Sequence, residues 1–292
     1  MTVQLRPIDR SLLASIDAIR ASVGHTLSSH AATNLYLWQE QMQLSIHLET
    51  DFFAVKCGIG GENCWFFPCG CEAQVHAFIR AGLSTPDFSL CYMTEQEAIW
   101  LEGQFPGVWV VARDESADEY VCRVDDFVSL AGGAYRRMRN RIHHIERTHA
   151  VEVVRLTADH WADARALLES WQQEAHNNKG YLLADDCVSL TALSEREELG
   201  IEGILLLMDG VPTAVVAGFP LDEQTLDAVI GKSLHDAPAG TVFCALRHYM
   251  CTCGRGYTFC NMEEDLGIPG LRSLKEEMRP AFKNQMWTAV LK

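Results

Sequence analysis

Three consecutive acids, Glu263, Glu264 and Asp265, are followed along the chain by two cations, Arg272 and Lys275. The hydrophobic pattern ends a strand at Cys260 just before the acids. It opens a helix at Pro269, a residue suited to the first helical position because its missing N–H would be unpaired there anyway. Arg272 and Lys275 are i, i+3 on that helix and share a face. Acids at a strand tip facing cations on the next helix can hold an amine and an anionic group together. One of the acids could then take a proton from the amine. The same spacing also fits acids that cap the helix and pair with Arg272, because negative charge at a helix N-terminus is stabilising in itself.

A second concentration of chemistry lies in Ala134–Thr148, a helical stretch with Arg136, Arg137, Arg139, Arg141 and Arg147. Arg136, Asn140, His143 and Arg147 fall on one face. Such a stripe could grip phosphates, or it could be a solvated face paired with the acidic remainder of the chain. His143 and His144 are adjacent and point to different sides, so they do not chelate one metal at helical spacing.

These segments belong to a chain of 292 residues, 48% of them hydrophobic, with a formal charge of −15. The composition is that of a folded protein, and the negative field disfavours wrapping DNA. Eleven scattered cysteines, many in apolar runs, read as reduced buried thiols. The pairs Cys69/Cys71 and Cys251/Cys253 are too closely spaced for the usual zinc pattern, so no metal site is expected. The longest uninterrupted aliphatic run, Ile204 to Met208, is far short of the roughly 20 residues of a membrane helix. Arg6, Asp9, Arg10 and Asp17 interrupt the N-terminal segment, which is not a signal peptide, so a cytoplasmic location is expected.

Periodicity places helices at Ser11–Val23, Asn34–Gln43, Glu72–Ala81 and Thr94–Glu102, with Thr94 as cap and Gly103 as stop. Strands fall at Phe52–Lys56, Cys64–Phe67, Phe88–Met93, Val108–Ala112 and Glu119–Arg123. Gly58 to Gly61 links the first two. The second half repeats the plan: helices at Asp125–Leu130 and Ala134–Thr148, a strand at Val151–Arg155, helices from Thr157 and Cys187, and a hairpin about Asp209-Gly210. A strand–helix–strand run from Thr225 to Cys260, the Pro269 helix and a strand at Gln285–Leu291 follow. This is an α+β protein, and the order of its second half is similar to the GNAT acyltransferase fold, which splays two neighbouring strands to admit an acyl donor.

The Asn261–Pro280 segment resembles the C-terminal domain of phosphatidylglycerol lysyltransferases and soluble relatives. Their pattern runs approximately Asn-x-Glu-x-Asp-Leu-Gly-Ile-x-Gly-Leu-Arg-x-x-Lys-x-Ser-Tyr-x-Pro. Asn261, Glu263, Asp265, Leu266, Gly267, Ile268, Gly270, Leu271, Arg272, Lys275 and Pro280 match it, while Glu277 and Met278 replace the Ser-Tyr pair. Leu130 to Ile142 is similar to a second family segment, Leu-x-Gly-x-x-Tyr-x-x-x-Arg-Asn-x-Ile, through Tyr135, Arg139 and Asn140. Fainter echoes are Asn34–Trp38 and Phe67–Gly70.

The resemblance implies tandem GNAT-like domains, 1–123 and 124–292, related to Fem-type aminoacyltransferases. It implies transfer of an acyl or aminoacyl group to an amine or hydroxyl, with Glu263, Glu264 and Asp265 as catalytic residues. Asn261, Arg272, Lys275, Tyr135, Arg136, Arg139 and Asn140 would bind substrate. No tightly bound cofactor is expected. The donor would be an aminoacyl-tRNA, held at its acceptor end, or an acyl-CoA. The glycine-rich pyrophosphate turn of acetyl-CoA enzymes is missing from Gly231–Thr241. The alternative is a non-catalytic ligand-binding or regulatory protein on the same scaffold.

Overall fold

The computed structural model describes residues 3–59, 61–177 and 185–292. Gly60, in the expected Gly58–Gly61 connection, lies outside them. The chain forms two compact units. The first comprises Met1–Glu119, Glu264–Ile268 and Lys283–Lys292; the second comprises Tyr120–Glu263 and Pro269–Phe282.

The chain runs through α1 (Leu13–Ser22), α2 (Ala32–Trp38), β1 (Ser45–Leu48), β2 (Phe52–Cys57), β3 (Cys64–Phe66), β4 (Cys69–Gly70), α3 (Glu72–Gly82), β5 (Ser89–Met93), α4 (Glu95–Gln104) and β6 (Trp109–Arg113). It continues with β7 (Glu119–Arg123), α5 (Val124–Ser129), α6 (Arg136–Thr148), β8 (Val151–Arg155), α7 (Trp161–Asn177), α8 (Asp185–Ser194), β9 (Glu202–Met208), β10 (Val211–Pro220) and β11 (Thr225–Ser233). It ends with α9 (Thr241–Thr252), β12 (Phe259–Asn261), α10 (Pro269–Glu277), β13 (Phe282–Asn284) and β14 (Trp287–Leu291).

The first sheet has the order β1-β2-β3-β5-β14-β6, with β4 also on β2. It is mixed, since β3 and β5 run parallel and β1–β2 antiparallel. Helices cover both faces, which is why β2 is buried on both sides. Phe52 and Ala54 join Phe78, Ile79 and Leu101 of α3 and α4. Phe53, Val55 and Cys57 alternate onto the opposite face against Ile16, Ile19 and Leu35 of α1 and α2. Val23, expected as the last residue of the first helix, falls past its end and is 43% exposed. α2 stops at Trp38, five residues early, and Gln43 turns left-handed at φ 50°. Thr94 caps α4 in a reciprocal box: the Glu97 amide donates to its hydroxyl, and its own amide donates to the Glu97 carboxylate. The glycine stop expected at Gly103 is not where the helix ends: α4 runs through it to Gln104, and the Phe105 amide closes the last turn on the Leu101 carbonyl.

The second sheet has the order β13-β7-β12-β11-β10-β9-β8. It too is mixed, because β11 and β12 are parallel around the α9 crossover. The β9–β10 hairpin turns on Asp209 (φ 53°) and Gly210 (φ 80°), the double left-handed step of a tight hairpin. Phe127, Met138, Ile142, Ile145, Phe243, Leu246 and Met250 pack with Ile204, Leu206, Val216 and Leu226 into one core. The α+β class and the helix-flanked mixed sheets are as expected.

The units do not divide the chain at residue 123. β7, placed by sequence in the first half, carries Tyr120 and Cys122 into the core of the second unit. β14, placed in the second half, carries Ala289 into the core of the first and fills the slot between β5 and β6. Each sheet is therefore completed by a strand from the other end of the chain. β13, unexpected from sequence, lies at the edge of the second sheet beside β7.

Candidate functional site

Strands β11 and β12 are paired only at Thr225–Phe259, Leu226–Cys260 and Asp227–Asn261. Beyond Asn261 the chain parts from β11, which runs on to Ser233, while Met262 and Glu263 keep main-chain bonds to Tyr120 of β7. The acidic segment thus begins where two parallel strands part, at the carboxyl end of β12. Such ends are where open α/β sheets commonly receive ligands.

The loop is held by its own polar residues. Asn261 is buried, and its Oδ1 accepts the Glu263 amide at 2.8 Å. Glu263 is left-handed (φ 57°), and its main chain is fixed to β7 by the Tyr120 amide at 3.2 Å. A non-glycine residue in that region costs of order 1 kcal/mol, so the surroundings must enforce it. The Lys275 side chain, only 7% exposed, donates from Nζ to the Met262 carbonyl and lies 6.0 Å from the Tyr120 ring centroid.

Within the first unit, Asp265 is fully buried, and its Oδ1 accepts the Gly267 amide at 2.8 Å. Its carbonyl accepts the Ile268 amide at 2.9 Å, and the Leu266 amide donates to Ser116. Short side chains that bond to the main chain two residues on are what build such turns. Asn261, Asp265 and Lys275 therefore shape the loop. Glu263, Glu264 and Arg272 are half-buried. Glu263 and Arg272 fall in the second unit and Glu264 in the first.

The α6 residues divide similarly. Arg139 donates to the Leu130 and Gly132 carbonyls at the end of α5. Arg141 makes two 2.9 Å bonds to Glu277, with Arg137 at 3.5 Å from the same carboxylate. Glu277, which departs from the family pattern, is thus an anchor between α6 and α10. The Tyr135 hydroxyl donates to the Arg279 carbonyl at 3.4 Å. Arg136, Asn140, His143 and Arg147, the face singled out from the spacing, are all exposed.

Sequence reasoning missed a cavity of about 960 Å³ in the first unit, lined among others by His25, Phe67, Cys69, Glu97 and Trp100. The His25 side chain is 8% exposed and lies 3.7 Å from Glu97 Oε1, beyond hydrogen-bond reach. Its ring nitrogens have no hydrogen-bond partner among the described residues. Burial, aided by the neighbouring His30 and Arg20, holds His25 well below the usual histidine range. Burial likewise raises Glu97. The sole hint in the sequence was the Phe67–Gly70 echo, since a histidine just past a helix end has no distinguishing pattern.

The chain matches the family described as phosphatidylglycerol lysyltransferase, C-terminal, over residues 20–290. It belongs to this family. Among solved structures, a conserved protein of unknown function from Bacteroides thetaiotaomicron shares 21% identity over 100% of both chains, with a TM-score of 0.90. The C-terminal domain of a candidate lysylphosphatidylglycerol synthetase from Agrobacterium fabrum shares 14% identity, TM-score 0.65, over 97% of this chain and 92% of that one. L-PGS from Bacillus licheniformis shares 15% identity, TM-score 0.64, over 95% and 91%. At these identities the likeness is one of fold. No curated protein matches in sequence. No helix among the described residues of this lysyltransferase-family chain is long and apolar enough to cross a membrane.

Proposed function

We propose that this chain transfers an acyl or aminoacyl group to an acceptor amine or hydroxyl. The observation that carries the reading is the parting of β11 and β12 beyond Asp227 and Asn261, with Glu263 at its mouth on a loop held by Asn261 and Lys275. The acceptor's nitrogen or oxygen attacks the donor's carbonyl carbon, and the carbonyl oxygen takes up negative charge. A main-chain N–H at the strand opening stabilises that charge. Glu263, or its chain neighbour Glu264, removes the acceptor's proton, and the donor's alcohol or thiol leaves. Asp265 orients the loop. Arg272 holds an anionic group of substrate, and Lys275 contributes by fixing the loop at Met262. The exposed stripe of Arg136, Asn140 and Arg147, with Tyr135 and Arg139 bracing its start, suits the phosphates of a tRNA acceptor end or of CoA.

A second reading, a non-catalytic ligand-binding protein, draws support from the main-chain partners of Asn261, Asp265 and Lys275, which a purely structural loop would also have. Native mass spectrometry of the purified chain separates donor classes. Co-purifying CoA or tRNA supports transfer from that donor. A different small molecule that survives purification and is never turned over supports the binding protein.

A further inference from the structure

Cys244 and His248 are i, i+4 on α9 and so share a face. Glu146, on α6, meets that face, with Oε1 4.0 Å from His248 Nε2. One ligating atom from each of the three residues, a sulfur, an imidazole nitrogen and a carboxylate oxygen, lies within 4.8 Å of the other two. Among the described residues this is the one place where three such donors converge. Neither Cys-x-Cys pair takes part.

Bond lengths of about 2.0–2.3 Å put the donors of a tetrahedral zinc site roughly 3.3–3.8 Å apart, so a modest contraction would close this cluster on an ion. His248 Nε2 is buried and has no hydrogen-bond partner among the described residues, an arrangement that costs free energy unless something fills it. Its nearest cationic neighbour, Arg247, is tied through Nε to the Val128 carbonyl at 2.9 Å and reaches Glu146 Oε1 at 3.5 Å. The guanidinium thus reaches the same carboxylate oxygen that faces His248, as an outer partner that helps to orient Glu146. The Glu146 side chain is 32% exposed, which gives the ion a route from solvent to the buried thiol. A thiolate with an imidazole and one carboxylate selects zinc-like ions over magnesium or calcium.

We propose that Glu146, Cys244 and His248 form a site for one zinc-class divalent cation, with three protein ligands and a fourth position left to solvent. On binding, the Cys244 S–H bond breaks, its proton goes to solvent, and the sulfur forms the bond to the metal. Thiolate and carboxylate together balance the two positive charges. The site ties α6 to α9.

Cobalt(II) reports a thiolate ligand directly. The full chain, stripped with a chelator and kept reduced with a phosphine, is titrated with Co²⁺. A sulfur-to-cobalt charge-transfer band saturating at one ion per chain, with visible bands of tetrahedral intensity that zinc abolishes, is expected. Cys244→Ser should remove the charge-transfer band. His248→Ala, a truncation at a half-buried helical position, should weaken cobalt binding by about a hundredfold while leaving the circular dichroism unchanged. Absence of the band from the wild-type chain overturns the site. So does a band that persists unaltered in His248→Ala, because the cobalt is then held by other thiols such as the exposed Cys71 or Cys187.

Discussion

Asn284 Nδ2 donates to Glu119 Oε2 at 2.8 Å across 165 residues of chain. The other oxygen of Glu119 accepts the Ser28 amide and hydroxyl at 2.8 and 2.9 Å. A carboxylate 1% exposed thus joins three distant segments of the first unit. Its neighbour Asp118 ties the nearby Arg113 and the distant Met286 amide together. A buried charge is tolerable only when bonded in this way. Glu119→Gln keeps the shape but loses charge-assisted bonds, and should cost about 2 kcal/mol in urea unfolding. A loss below about 0.5 kcal/mol would mean that the network contributes little.

The buried histidines make stability fall in acid. Burial takes His30 down to about 4, partly offset by its bond from Nε2 to the Phe67 carbonyl at 2.8 Å. Between pH 7 and 5 the unfolded chain takes up a proton at this residue and the folded chain does not. The folded state therefore loses about 2 kcal/mol over that interval, levels off below about pH 4, and is unaffected above pH 7. His25 acts in the same direction. Unfolding curves at pH 7 and 5 on wild type and His30→Gln should show a shallower pH dependence in the variant; equal slopes would contradict the assignment.

Gly218 lies at the irregularity where β10 changes register against β11. A Cβ there would overlap the Asp227 carbonyl oxygen. Gly218→Ala should therefore destabilise by about 3 kcal/mol or more through forced backbone movement. Gly210→Ala, in open space, carries only the strain of its left-handed backbone and should cost about 1 kcal/mol. Thermal melts of the two variants give the ranking.

Lys275→Met keeps the aliphatic stem and removes the donor to the Met262 carbonyl. The buried carbonyl left behind should cost about 1–3 kcal/mol. If Lys275 acts through the loop, substrate turnover will fall with stability. Arg272→Ala should instead weaken binding of an anionic substrate about ten- to a hundredfold with little change in melting.

The elements legible in the sequence were those with strong local signals: the Thr94 cap, the Asp209-Gly210 turn, the apolar run of β2, and the helical periodicity of α1 and α6. The loop with Asn261, Asp265, Arg272 and Lys275 was legible as a motif. Its anchoring was not, because that depends on Tyr120 and Ser116, far away in sequence. The exchange of β7 and β14 was invisible for a related reason. Strand patterns specify which faces are buried, and pairing partners are set by tertiary packing. The His25–Glu97 cavity joins residues from separate elements, and the Cys244–His248 pair, though at helical spacing on α9, gains its third member, Glu146, only through the packing of α6.

Proton removal by Glu263, the acid whose main chain is fixed at the strand opening, is the step on which the proposed transfer depends. It is tested most directly by single-turnover transfer of a radiolabelled lysyl group from lysyl-tRNA to a primary alkylamine, with acetyl-CoA as a parallel donor, on wild type and Glu263→Gln. With melting temperatures matched, the variant should transfer about 10²–10⁴-fold more slowly from the working donor while binding it with nearly unchanged affinity. Equal rates in the two proteins, or no transfer from either donor by the wild type, would contradict the account.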